Sequence, residues 1–539
     1  DEYVSITASV RGTGCSSGEF DVFSETSAID GYHVIEWAAA QEWSNGDVGL
    51  FGHSYSGITA ALVAATQPPH LRVASISGLI GDVFRDIVYP GGVSNYGFPL
   101  IWTGGYRPFT DVAGGTLGGL LADTGDRRCL QNQAARSRTI LGEPIVNGLQ
   151  DWDGPWYQAR SVVYKADAIQ VPTHVTSAYQ DEQTGPRGGT NVFDHLTGAF
   201  HKRLVLLNGD HNAQAQLPET IAERKAWLDY WLLGRESPFV DPLRQPTSVR
   251  VLLEVHEFED GERSNGEITS SDFPLTQTDW TDWYLHEDGG LSTTPPAEDE
   301  GSTVYFNGSK RQAYAYQAGV NSLGELTSIP GPDEAFFRSE PFAEPMVIAG
   351  PITATLFMRA LPADLPLPLP TDLEVMVQVL DEGPGGELTY LQRGVLRASH
   401  REIDPARSQL TNEDRIYRPY RPHAGPIPDL ILMNQIYELF LDVYPVGHVF
   451  RPGHRLAIKV HAPSLDDNDW IYVPKSPPAL VTLFHDAAHP SSVMLPVIPT
   501  DEVDRLGEDL GRCASSRVRC VEPAAALPSA DDLFGALFD

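Results

Sequence analysis

Basic residues are scarce in this chain. Its 38 lysines and arginines face 72 aspartates and glutamates, a formal charge of −34. So acidic a surface repels phosphate backbones and anionic headgroups, and neither nucleic acid nor a membrane is expected as a partner. Long apolar runs are also lacking: no stretch approaches the roughly 20 residues that cross a bilayer. Cysteine is sparse, with four in 539 residues, and no two form a C-x-x-C pair. That removes the usual frame of a structural zinc site, so neither metal nor cofactor is expected. Cys513 and Cys520 bracket six residues, a natural short disulfide loop, whereas Cys15 and Cys129 pair only if the fold brings them together. An even cysteine count in an acidic, lysine-poor chain points to export and an extracellular location, with free buried thiols as the competing reading. No leader is visible, so any leader is expected either to have been removed or never to have been part of this sequence.

What is present is enough apolar residue, 41%, for sizeable cores, in a chain long enough for two or three domains. The stretch that organises the first half is Val48-Gly-Leu-Phe-Gly-His-Ser-Tyr-Ser-Gly57. It reads as a short buried strand, a sharp turn with Ser54 at its apex, and a small-residue helix from Ile58 to Ala65. That is the plan of a nucleophile elbow, which exposes a serine oxygen above a sheet. The spacing is G-x-S-x-x-G, because Ser56 stands where the last glycine of G-x-S-x-G is usual.

Other elements fall into order around it. Tyr3–Val10 is β-branched and reads as a strand, Asp30–Ala40 as a helix, and Val73–Ser77 as another strand. Residues 81–165 break the rhythm, carry many aromatics, and suit a helical cap inserted over the strand ends. The pattern resumes at Val171–Ser177, which leads to Asp181, and at Arg203–Leu207, which leads to His211. A helix from Ile221 to Leu232 follows, with Gly234 as its stop. Strands alternating with helices argue for a parallel sheet covered on both faces. Ser54, Asp181 and His211 have the types and chain order of an α/β-hydrolase triad. Singly, Asp181 also suits a helix cap and His211 a turn, and His195, His201 and Asp210 are nearby competitors. Jointly they supply what acyl chemistry requires. Ser54 needs a base to take its proton, neutral His211 is that base, Asp181 holds the imidazole tautomer, and the Tyr55 N–H is one oxyanion donor.

From about Ser237 the character changes to short alternating segments between proline and glycine turns. Ile352–Met358, Asp372–Val379 and Arg455–Val460 alternate with period two, so half-buried antiparallel strands in a sandwich or jelly roll are expected. Leu361–Pro370 reads as a proline-rich surface loop, and Asp466–Asp469 as a solvated loop or, less simply, a cation site.

Several of these motifs together resemble the cocaine esterase and X-prolyl dipeptidyl aminopeptidase family of serine hydrolases. They are Arg11–Gly14, Gly52–Gly57, Tyr89–Gly92, Ala178–Asp181, Gly209–His211, Glu438–Tyr444 and Arg451–Leu456. The likeness runs from about residue 3 to 500 with order and spacing kept. It implies an α/β-hydrolase domain over 1–235 with a helical cap inserted at 81–165, a jelly-roll β-sandwich domain over 236–520, and a tail over 521–539. It also implies that Ser54, Asp181 and His211 are the triad and Tyr55 the oxyanion-hole residue, with His53, Tyr89, Trp156 and Glu182 as candidates for the substrate pocket. The family has further strands ahead of the first one here, with a tyrosine that gives the second oxyanion donor, so the first hydrolase strands are expected to be missing from this chain. The amino-ester branch holds a substrate ammonium with acidic groups two and three positions after the catalytic aspartate. Here those positions are Gln183 and Thr184, which leaves Glu182 and Asp86 as substitutes.

The expected function is hydrolysis of an ester or amide through an acyl-enzyme, on a small-molecule ester, amide or short-peptide substrate. An X-prolyl dipeptidyl peptidase is the alternative within the same chemistry. A non-catalytic binding protein on a vestigial hydrolase scaffold is the alternative outside it. Nothing in the residues sets the oligomeric state.

Overall fold

The structure is a computed structural model. It describes residues 3–97, 99, 102, 126–136, 150–236, 247–308, 332–504, 506 and 512–513, apart from 254, 259–260, 265, 363–369, 424, 426–428, 464–469 and 474. The expected Cys513–Cys520 link, the proline-rich loop, Asp466–Asp469 and the tail reach outside the described residues.

The first half forms a six-stranded sheet. Its strands are β1 (Val48–His53), β2 (Leu71–Ser77), β3 (Thr173–Ala178), β4 (Lys202–Leu207), β5 (Thr247–Leu252) and β6 (Glu267–Ser270), in that spatial order. The first five run parallel and β6 is antiparallel to β5. Every residue of β3 is buried, as expected of a parallel strand covered on both faces. β1 is only half-buried because it forms the edge of the sheet. The helices are α1 (Glu25–Ala39), α2 (Tyr55–Ala64), α3 (Arg127–Arg136), α4 (Pro155–Arg160), α5 (Gly188–His195), α6 (Ala213–Gln216) and α7 (Pro218–Leu233). α1 starts five residues before the expected Asp30, because Ser24 Oγ accepts the Ser27 N–H and caps the earlier turn. α7 ends where Gly234 takes φ 67°, the left-handed stop its glycine foretells. The β2–β3 connection holds short helical turns, α3 and α4 among its described residues. A disulfide joins Cys129 of α3 to Cys15 across 114 residues of chain.

One expectation needs correction. Tyr3–Val10 is no strand but an irregular, largely exposed segment, and β-branched residues alone do not make a strand. Past the expected boundary at 235/236, β5 and β6 complete the hydrolase sheet up to Ser270.

The second half is the jelly-roll β-sandwich, an antiparallel assembly of eleven strands among the described residues. Its long members are β7 (Met346–Pro362), β8 (Glu374–Glu382), β9 (Leu388–Arg397), β10 (Tyr437–Phe450) and β11 (Arg455–His461). The alternation in β8 predicts one buried face, but all nine residues are buried. Val375, Val377 and Val379 join the sandwich core with Leu356, Leu441 and Ile458. Met376, on the opposite face, joins the hydrolase core, as do Val395, Tyr444, Trp470 and Tyr472. The face expected to meet water is covered by the hydrolase domain.

Candidate active site

Ser54 occupies the turn between β1 and α2 with φ 59° and ψ −129°, a backbone conformation that a non-glycine residue holds only under constraint. Two glycines supply the constraint. A Cβ on Gly52 would lie 2.4 Å from the Ser56 carbonyl oxygen, and one on Gly57 would lie 2.3 Å from that of Ser77. The odd spacing of the motif thus has a reason. Gly57 is where α2 passes against β2, while Ser56 faces out and folds its hydroxyl back, donating to His53 O at 2.8 Å and accepting from His53 N at 3.1 Å. The Ser54 N–H donates to Ser77 O at 2.9 Å, which seats the apex on the end of β2. Tyr55 opens α2, and its ring stacks on Phe23 at 5.2 Å and on Trp102 of the insertion at 5.8 Å.

Asp181 and His211 follow the carboxyl ends of the adjacent strands β3 and β4, and they meet. The His211 Nδ1 lies 3.0 and 2.9 Å from the two Asp181 carboxylate oxygens, with both side chains buried. An ionised carboxylate only accepts, so the Nδ1 carries the proton and the neutral ring keeps its lone pair on Nε2. Burial alone would raise the Asp181 pKa. The His211 imidazole and the Thr184 hydrogen bonds outweigh it and hold the carboxyl at about 2. Burial would lower His211, but Asp181 outweighs it and raises the imidazole above its ordinary value. The His211 ring packs 4.4 Å from the ring of His53, the residue before Ser54, so the pair stands beside the elbow. Burial, with His211 as neighbour, pushes His53 down to about 4 and keeps it neutral.

Residues that sequence reasoning did not single out hold this arrangement. Thr184 donates to Asp181 through its N–H at 2.9 Å and its hydroxyl at 2.6 Å. Gln214 of α6 donates to Asp181 Oδ2 at 2.6 Å and accepts from Gly78 N at 3.0 Å, tying the end of β2 to the acid. Gln180 accepts from Gly209 N at 2.6 Å and links the two strand-end turns. The capping alternative for Asp181 is satisfied at the same time, since it also accepts the Gln183 N–H. The turn after β4 is capped by Asp210, which accepts from Asn212 and Ala213. His195 bonds Asn191 O, and His201 packs on Trp231.

The other pocket candidates are packed or paired within the protein. Tyr89 is fully buried against Phe84, and Trp156 stacks under the Arg160 guanidinium. Glu182 is paired with Arg393 of β9 at 2.7 Å, and Asp86 with Arg187 at 2.9 Å. Both carboxylates considered for a substrate ammonium are therefore already matched by a guanidinium. A cavity of about 310 Å³ lies between the domains, lined by Arg85, Asn191, Arg418, Tyr420 and Tyr444 among others, and Ser54, Asp181 and His211 are not in its wall. Three of its five arginines pair with carboxylates: Arg85 with Asp82 and Asp153, Arg187 with Asp442, and Arg418 with Asp194.

Both halves of the chain resemble known proteins. Residues 2–213 match the model of the X-Pro dipeptidyl-peptidase (S15 family), and residues 247–493 match that of the X-Pro dipeptidyl-peptidase C-terminal non-catalytic domain. The cocaine esterase of Rhodococcus sp. (strain MB1 Bresler) is 23% identical over 562 residues, which cover 92% of this chain and 88% of that protein. Among solved structures, a CocE/NonD family hydrolase from Staphylococcus aureus aligns with TM-score 0.68 at 19% identity, over 91% of this chain and 79% of its own. An aminopeptidase from a marine sediment Thaumarchaeota archaeon aligns with TM-score 0.62 at 17% identity, over 91% and 84%. With both halves matched in order, the chain belongs to the X-Pro dipeptidyl-peptidase (S15) family of serine hydrolases.

Proposed function

We propose that this protein hydrolyses a small ester or amide through an acyl-enzyme on Ser54. The observation that carries the reading is the buried His211–Asp181 pair set against a constrained serine turn. His211 Nε2 takes the Ser54 proton as the oxygen attacks the acyl carbon, then returns it to the leaving group. Asp181 keeps the proton on Nδ1 and stabilises the imidazolium. The Tyr55 N–H is one donor to the tetrahedral oxyanion.

Release of dipeptides requires a hold on a substrate ammonium. Pairing of Glu182 and Asp86 with arginines, and Gln183 and Thr184 at the neighbouring positions, favour uncharged acyl esters instead. A Ser54→Ala variant should lose turnover of a nitrophenyl acyl ester, and undiminished turnover would sink the assignment. Wild-type protein should prefer that ester to an Ala-Pro anilide; the reverse preference would move the protein to the peptidase reading. The Cys15–Cys129 disulfide supports an oxidising, extracytoplasmic compartment.

A further inference from the structure

The turn that carries Asp181 is gripped by the β-sandwich. Gln392 and Arg393 sit side by side on β9, both fully buried, and reach across to residues on either side of Asp181. Gln392 Nε2 donates to the Tyr179 carbonyl at 2.7 Å and to the Pro445 carbonyl at 3.2 Å. Arg393 donates through both terminal nitrogens to the Glu182 carboxylate, at 2.7 and 3.2 Å. Trp470 Nε1 donates to the Glu182 carbonyl at 2.7 Å, and its ring lies 4.7 Å under the Arg393 guanidinium. Gly447 lies so close to the Tyr179 ring that a Cβ there would come within 2.6 Å of it. The segment Tyr179–Glu182 is thus bonded through its backbone at both ends and through one carboxylate, all by groups from the second domain.

From this geometry we propose that Gln392, Arg393 and Trp470 are positioning residues for the hydrolytic reaction: the sandwich domain sets the place of Asp181 relative to His211. The inference rests on the Ser54–His211–Asp181 reading. Its physical basis is that Asp181 acts only through His211 Nδ1, and displacements of about 1 Å in such groups cost on the order of 100-fold in rate. Arg393 also keeps Glu182 from adding an unmatched negative charge beside the acid. The charged fork and the two backbone-directed donors hold the turn from the sandwich domain, and Thr184 and Gln214 hold the Asp181 carboxylate from within the hydrolase domain.

The test uses the full chain and near-isosteric changes. Gln392→Met deletes one hydrogen bond to the turn with little change of volume, and Trp470→Phe deletes another while keeping an aromatic ring under Arg393 at the cost of a small cavity. Tyr305→Phe deletes a buried hydroxyl of the sandwich that does not touch the turn, and serves as the control. Reactive serine is counted with a fluorophosphonate, and turnover of a nitrophenyl ester is expressed per labelled site across pH. Gln392→Met and Trp470→Phe should each lower kcat per labelled site by about tenfold or more with KM within about twofold. The acid limb of their kcat/KM profile should move to lower pH, because Asp181 is what raises His211. Tyr305→Phe should match wild type. If the two variants keep wild-type kcat per site and an unmoved limb, the sandwich only supports the fold and the inference fails. If Ser54 of wild-type protein does not label, the triad reading itself fails.

Discussion

At the scale of single residues, the site is a matter of opposed pKa shifts. Asp181 is held at about 2, below the roughly 3.9 of a free aspartate, and His211 is held above the roughly 6.5 of a free histidine. The sign of each contribution follows. The depressed carboxyl stabilises the fold above pH ~4 and ceases to as pH falls through about 2. The raised imidazole stabilises it below pH ~6.5 and ceases to as pH rises through its folded value. Catalysis needs the neutral imidazole, so kcat/KM should rise with pH along a limb centred above ~6.5. Asp181→Asn should cut kcat on the order of 10,000-fold and move that limb down, because the amide neither raises His211 nor fixes its tautomer. An unmoved limb in that variant would show that another group governs the base. The Asp181–His211 pair was legible in the sequence because each member follows an apolar strand and the chemistry fixes their types. Thr184, Gln214 and Gln180 were not legible, because a threonine or glutamine in a turn has no periodicity to mark it. The pairing of Glu182 was not legible for a related reason: its partner Arg393 is 211 residues away.

At the scale of elements, the elbow depends on two close approaches. Gly57→Ala places a methyl 2.3 Å from a backbone carbonyl and should cost about 3 kcal/mol or displace Ser54. Ser56→Gly restores the more usual spacing and should keep activity, at a cost of about 1 kcal/mol for the hydrogen bonds to His53. Thermal midpoints and ester turnover of the two variants would separate these outcomes. Equal behaviour would mean that the turn tolerates more than its geometry implies. The same scale explains the misread first segment. Tyr3–Val10 has the composition of a strand, yet a strand is a pairing, and composition alone does not reveal one. β8 was misread for the opposite reason: period two marked its sandwich face, but nothing local announces that a second domain covers the other.

At the scale of the whole molecule, covalent and packing links bind regions far apart in sequence. The Cys15–Cys129 bond closes a loop spanning 114 residues and should contribute roughly 2–5 kcal/mol. A Cys15→Ser/Cys129→Ser protein should melt earlier than the oxidised wild type. An unchanged midpoint would mean that the loop is already fixed by its contacts.

The placement of β5 has a consequence for how the chain is made. The strand that flanks β4, and so shields the root of the His211 turn, begins at Thr247, where the match to the C-terminal domain also begins. The hydrolase sheet therefore cannot close on the ribosome until Ser270 has emerged. Inheritance and assembly follow different seams: the two family units can be told apart by descent, yet neither is a portable module. A gene cut between them would leave Lys202–Leu207 as a raw apolar edge, open to pairing with a neighbouring chain.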